Sequence, residues 1–283
     1  VMVLRNVIIL AQSGLVLFAK EFMHSVAQPR LLGSLLTAMT EFSALATGMK
    51  PTFIELSSLA VTFVHDDTVK VFCALVHDRN DSASFGQLIA SEILTAFVDE
   101  YSPDRLRSTA SSGHNLRDFG SFDAKIAAIV QHSIRPVLQK LDAQPGVIQS
   151  LLLTEENIVQ AGVGEIDQFA ILANNAAIFC YSDVILNLVN QNDSTKHIIF
   201  DDELGLRRTL LWRIEDCVLI VYLSTQVASP IYADALDLAE QSRSLIAQVL
   251  AFMRTSGASF RRSTANASTS SKKATRKVES NNR

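Results

Sequence analysis

The apolar pattern of this chain runs through one order of local elements (strand, strand, helix, three strands, helix) and then runs through it again. Strands joined by short turns become neighbours in an antiparallel sheet, and a helix must cover a face of that sheet to bury its own apolar stripe. A doubled order of this kind leaves room for few architectures. In the first pass, residues 3–10 and 15–18 are β-rich runs around the turn signal Gln12-Ser13-Gly14. From Pro29 onward, Leu32, Leu35, Leu36, Met39, Phe42 and Ala46 recur at helical spacing, and Gly48 and Pro51 supply the stop. Runs at 52–56, 59–65 and 69–77 follow, with Ser57-Ser58 and Asp66-Asp67 as the turns. A second amphipathic segment carries Phe85, Leu88, Ile89, Ile93, Ala96 and Phe97, and Ser82 is placed to cap it.

Residues 102–118 hold Pro103 and Gly113 and show no apolar period, so they read as a long exposed connection. Phe122, Ile126, Ile129, Val130, Val137, Leu138 and Leu141 then form a helical stripe that Pro136 should kink or restart. From residue 147 the first order returns: strands at 147–153 and 158–162, a helix capped by Asp167, strands at 197–200, 206–214 and 218–223, and a last helix near Pro230. The fold class expected is α+β, two consecutive platforms, each an antiparallel five-stranded sheet with packed helices. The domains expected are residues 1–101, a linker at 102–118, residues 119–253, and a tail at 254–283.

Composition fits a buried core: 48% of residues are hydrophobic and 19% charged. The formal charge of −4 hides an asymmetry. Residues 254–283 carry eight Lys or Arg against Glu279 alone, a charge of +7, leaving 17 basic and 28 acidic residues, −11, in the body. The tail is rich in Ser, Thr, Ala and Asn and has little to bury, so disorder is expected there. Its Arg261, Arg262, Lys272, Lys273, Arg276 and Lys277 are candidates for contact with anionic membranes. An acidic body is no nucleic-acid surface. The apolar stretch at 7–18 is broken by Gln12, Ser13 and Gly14 and is too short to span a bilayer, so a cytoplasmic chain is expected, at most peripheral on endomembranes.

Candidate chemistry reads as structure throughout. Cys73, Cys180 and Cys217 lie far apart in apolar runs and are expected to be buried, unreactive thiols. His65-Asp66-Asp67 and His77-Asp78 sit at strand ends, where Asp serves turns, and Asp201-Asp202-Glu203 precedes a hairpin turn at Leu204-Gly205. Gly162-Val163-Gly164 lacks the third glycine of a dinucleotide loop. No catalytic residue, metal ligand or cofactor is expected. Two features point to partners instead. The helix of Leu32, Leu35, Met39 and Phe42 is apolar enough for one flank to face another molecule, as a homodimer, a heterodimer or a contact between the two units. Arg105, Arg107 and Arg117 populate the long connection, where a partner or a regulator has access.

A resemblance adds to this reading. Residues 9–18 (ILAQSGLVLF), 31–39 (LLGSLLTAM) and 88–94 (LIASEIL) resemble a longin domain. The stretch LDAQPGVIQSLLLTEENIVQAG, residues 141–162, is similar to a roadblock-type domain, with the preceding helix as the extra first helix of that family; the alternative is that both units are longin-like and that helix closes the first. The resemblance implies platforms that do no chemistry and that dock partners: a small GTPase or another longin or roadblock subunit, in vesicle traffic. Other readings are a structural subunit of a large complex without a GTPase link, and a small hydrolase or transferase. A cleft with convergent ionisable groups would favour the enzyme; an apolar patch favours the scaffold.

Overall fold

The computed structural model describes residues 4–22, 29–106, 116–154, 158–161, 168–187 and 195–255. The first sheet is built from β1 (Leu4–Ala11), β2 (Val16–Glu21), β3 (Phe53–Glu55), β4 (Leu59–Asp66) and β5 (Val71–Asp78), antiparallel in the order β2-β1-β5-β4-β3. Central β1 and β5 are buried on both faces, which is why they read as near-continuous apolar runs rather than alternating ones. β5 starts two residues later than its apolar run because Asp66 takes the N–H groups of Thr68 and Val69 on its Oδ1, at 2.8 and 3.2 Å, and holds them in the turn.

Helices cover both faces. Helix α1 (Pro29–Thr47) lies on one, where Leu36 packs with Ile8, Leu10, Val16 and Phe63. Helix α2 (Ala83–Glu100) lies on the other through Phe85, Ile89, Ile93 and Phe97, and the Ser82 hydroxyl caps it by accepting from the Phe85 N–H. Glycine sets both approaches. A Cβ on Gly33 would stand 2.8 Å from Val16, and one on Gly86 would stand 2.2 Å from the Thr62 hydroxyl.

The second sheet comprises β6 (Val147–Thr154), β7 (Ile158–Ala161), β8 (His197–Asp201), β9 (Arg207–Ile214) and β10 (Cys217–Ser224), ordered β7-β6-β10-β9-β8, the same path as the first. Before it come a 3-10 helix (Leu116–Lys125), α3 (Ile126–His132) and α4 (Ile134–Asp142). The helix that Pro136 was expected to kink or restart does restart, breaking at Ser133. Pro136 has no N–H for the His132 carbonyl, so the helix restarts ahead of it, and the buried Ser133 hydroxyl donates to the Val130 carbonyl at 2.6 Å. Helix α5 (Gln168–Asn187) covers the outer face of this sheet, with Phe179 among Leu151, Leu211 and Ile220, and α6 (Ser229–Thr255) covers the inner face.

The inner faces share one core. Helices α2, α3, α4 and α6 fill the space between the sheets, and a single buried cluster runs from Val7 and Leu75 of the first sheet to Leu219 and Val221 of the second. The 3-10 helix packs against β2 and leads into α3, which meets both α2 and α6. Phe122 meets Phe18 and Phe97 edge-on, with ring centres 5.3 and 5.1 Å apart, and Phe119 stacks among Phe97 and Tyr101. Phe22 and Phe252 close the same seam, and the Ser82 hydroxyl donates to Gln248 Oε1 at 2.9 Å. Within the stretch read as an exposed connection, residues 103–106 form a helical turn and Leu106 is buried in this core; residues 107–115 lie outside the described residues, as do the turn 155–157, the Asp167 cap and the tail from 256.

Because Phe122 is fully buried in the core cluster that both sheets share, Phe122→Ala should cost about 3–5 kcal/mol. Chemical denaturation followed by Trp212 fluorescence and by far-UV circular dichroism should show one shared transition moved to lower denaturant. Two transitions, only one of them shifted, would show that the sheets do not depend on a common core.

Candidate docking surface

Helix α1 has no polar face. Its inner side sets Leu36, Thr37 and Thr40 into the first sheet, with the Thr40 hydroxyl donating to the Leu36 carbonyl at 2.9 Å. Its outer side leaves Leu31 at 65%, Leu35 at 56%, Phe42 at 73% and Leu45 at 89% exposure, with exposed Ala38 between them. Only Glu41 is charged from residue 31 to 47. The helix ends at Gly48, whose N–H reaches the Ala44 carbonyl at 2.9 Å in a left-handed backbone conformation, and Met49 follows, 68% exposed. Lys50 pairs with Asp67, and His65 Nε2 meets the Pro51 carbonyl at 3.2 Å, so the segment after the helix is tied down on the β4–β5 turn.

The expected docking residues divide accordingly. Leu35 and Phe42 face outward; Leu32 packs against the core under α1, and Met39 sits half-buried at the border. Leu31, Ala38, Leu45 and Met49 complete the outer stripe and were not singled out from sequence. Their signal was present: together with Leu35 and Phe42 they recur every three or four residues, as an apolar stripe facing away from Leu36. Arg105 is exposed, its guanidinium 5.3 Å from the Tyr101 ring centre and 5.7 Å from that of Phe119, so its planar face is used in packing. Arg107 lies outside the described residues, and so do the side chain of Arg117 and the basic tail residues 261–277.

The ionisable groups are committed to structural bonds. His77 is fully buried; its Nδ1 donates to the Asp78 carbonyl at 3.1 Å, so Nε2 accepts from the Thr62 hydroxyl at 2.9 Å, and burial lowers its pKa. Burial also lowers the pKa of His65. Asp201 pairs with Arg208 through two bonds of 2.6 and 2.9 Å, and Asp202 accepts from the Leu206 and Arg207 N–H groups, as a hairpin turn needs. Burial pushes the thiols of Cys73 and Cys217 up to about 12. Cys180 departs from expectation: it is exposed. Phe179 takes the inward position on α5, and the next residue of a helix turns some 100° away from it. Among the described residues no three His, Cys, Asp or Glu side chains gather as a metal site needs. Gly162-Val163-Gly164 lies outside those residues.

A groove of about 780 Å³ opens where α2, α4 and α6 meet the β3–β4 edge. Serine and glutamine dominate its polar lining, and Glu92 and Lys140 are the ionisable side chains on its walls. Burial raises the pKa of Glu92. No described nucleophile and base converge there. No described helix is long and apolar enough to cross a membrane.

Neither a protein-family model nor a curated protein matches the chain. Solved structures with a partial likeness include MglB from Myxococcus xanthus, 11% identical over 43% of this chain and 89% of that one, with a TM-score of 0.36. Gliding protein MglB from Thermus thermophilus is 9% identical over 40% and 85%, with a TM-score of 0.34. A Roadblock/LC7 domain from Streptomyces avermitilis is 11% identical over 39% and 94%, with a TM-score of 0.30.

Two outcomes check this geometry. Leu36→Ala should destabilise by about 2–5 kcal/mol, whereas Leu45→Ala should move stability by less than about 0.5 kcal/mol. Comparable losses at both sites would place α1 differently. Separately, His65 and His77 have folded pKa values below the ordinary 6.5, so below that pH the unfolded chain takes up protons that the folded chain resists. Unfolding free energy should hold above pH 6.5 and fall as the pH drops below it. His77→Gln should be less stable at pH 7.5 and flatter across that window; an unchanged slope would remove His77 from the account.

Proposed function

We propose that this chain is a non-catalytic scaffold that binds small GTPases or partner platform subunits in intracellular vesicle traffic. The observation that carries this reading is α1, a helix apolar on both faces whose outer face has no cover among the described residues. A contiguous apolar stripe of that size marks a docking site. The longin-like and roadblock-like stretches supply the partner class. Platform subunits dock on α1; a GTPase is drawn to the acidic remainder, where charge of one sign steers a basic partner and speeds its encounter. The protein works in the cytoplasm, at the surface of endomembranes. The basic residues 261–277 add a salt-sensitive pull toward anionic lipid, about 1 kcal/mol per Lys or Arg near the surface.

The test is binding of small GTPases loaded with GDP or with a GTP analogue. Affinity should differ between the nucleotide states and survive deletion of residues 256–283, while binding to anionic vesicles should fall with salt and with that deletion. Nucleotide-independent binding would leave a structural subunit without a GTPase link. No binding in either state, together with a turnover abolished by changing Cys73, His77 or Asp202, would overturn the scaffold.

A further inference from the structure

We infer that the groove among α2, α4 and α6 is the seat of residues 256–262 of the same chain, the segment SGASFRR that follows α6. This goes beyond the docking role of α1 and stands or falls apart from it. The groove is built to hold an extended chain. Ser82, Gln87, Ser91, Gln241, Ser244 and Gln248 line its walls. Their hydroxyls and amides both donate and accept, as an extended backbone with unpaired N–H and C=O groups requires. Among them Phe53, Leu88, Leu238 and Leu245 are half-buried, with apolar surface left to cover. Its volume of about 780 Å³ is that of a ligand site. The walls come from both units, α2 and the β3–β4 edge from the first, α4 and α6 from the second, so an occupant straps the two together.

Reach selects the occupant. Helix α6 supplies one wall and leads directly into the segment. Leu245 stands ten residues before Thr255, about 15 Å back along the helix axis. Five extended residues cover about 17 Å, so a chain that turns back at Thr255 brings Phe260 level with Leu245 and carries Arg261 and Arg262 on toward Gln241. Ala251 continues the face of Ser244 and Gln248 toward the helix end and adds no bulk to that path.

Chemistry agrees with reach. Phe260 is the single large apolar residue between 256 and 277, and Leu88 and Leu245 offer it a floor. Glu92 is the one acid on the walls, and burial raises its pKa, so a guanidinium alongside restores the charge that burial opposes. On the larger scale the tail carries +7 against −11 on the body. A tethered segment meets its groove at an effective concentration in the millimolar range, so contacts too weak to hold a free peptide suffice. Only seven residues need ordering, a small entropic cost beside that of the whole tail.

The experiment is photocrosslinking of the full chain with benzoylphenylalanine in place of Phe260, at about 1 µM, far below the effective concentration of a tethered segment. Mass spectrometry should place the crosslinks on residues 82–92 and 238–248 of the same molecule. Glu92→Lys should cut their yield at least about fivefold, and adding Arg261→Glu and Arg262→Glu should restore it, because the two charges have then changed places. Should circular dichroism show Glu92→Lys misfolded, Gln241→Lys takes its place, since that side chain is exposed. A second reading needs no probe in the segment. In carbene footprinting, Phe260→Ala should raise labelling of Leu88 and Leu245 about twofold, as loss of an anchor side chain frees the surface beneath it. Crosslinks that reach only other surfaces or only a second molecule overturn the inference, and so does labelling indifferent to Phe260→Ala. Either result leaves the docking role of α1 untouched.

Discussion

Each five-stranded sheet has an inner face that its own helices cover only in part, and the rest of the structure depends on closing those two faces against each other. The helices between them form one shared layer. The aromatic cluster of Phe18, Phe97, Tyr101, Phe119 and Phe122, drawn from β2, α2 and the 3-10 helix, anchors the start of that layer to the first sheet. One buried cluster spans the inner faces of both sheets. For a chain whose parts are each small, a common core raises the fraction of apolar surface removed from water, which is the main source of stability at this size.

That joint decides what is left for function. Helix α2 and the segments from the 3-10 helix through α4 are taken up in holding the units together, along with α6. The outer layers of the sheets, α1 and α5, take no part in that joint. On the first sheet that layer is α1, seated by Gly33 against Val16 and Leu10, and its far side is as apolar as its near side. The polar groups that a sequence reader notices first go elsewhere. His77 holds Thr62 under α2, Asp66 and Asp202 organise turns, and Asp183 ties α5 to the start of β8 through the Thr195 N–H and Arg213. The chemistry-bearing residues thus serve the frame, and plain apolar residues are the ones left exposed on α1.

The order of elements was legible because it rests on local physics: turn residues, apolar period and caps such as Ser82 act within a few residues of themselves. The doubled strand order followed from it. The candidate site was legible by half. That α1 is rich in Leu and Phe is plain from sequence, but which stripe meets the sheet depends on β1 and β2, and Leu32 and Met39 went to the sheet side. Gly33 held the clue, since the smallest residue of the helix marks its closest approach to the strands. Cys180 misleads for a related reason: neighbours in a helical sequence point in different directions, so an apolar neighbour such as Phe179 says little about burial. The groove among α2, α4 and α6, and the aromatic joint itself, join residues far apart in sequence that no local pattern connects.

The central claim is that the outer stripe of α1 is a docking surface for a partner platform subunit. The most direct measurement is carbene footprinting of the full chain, alone and with such a subunit bound. Labelling of residues 31–49 should fall on binding, while the exposed turn at Leu204, 76% accessible, stays constant as an internal reference. Binding that leaves the labelling of residues 31–49 unchanged would contradict the account.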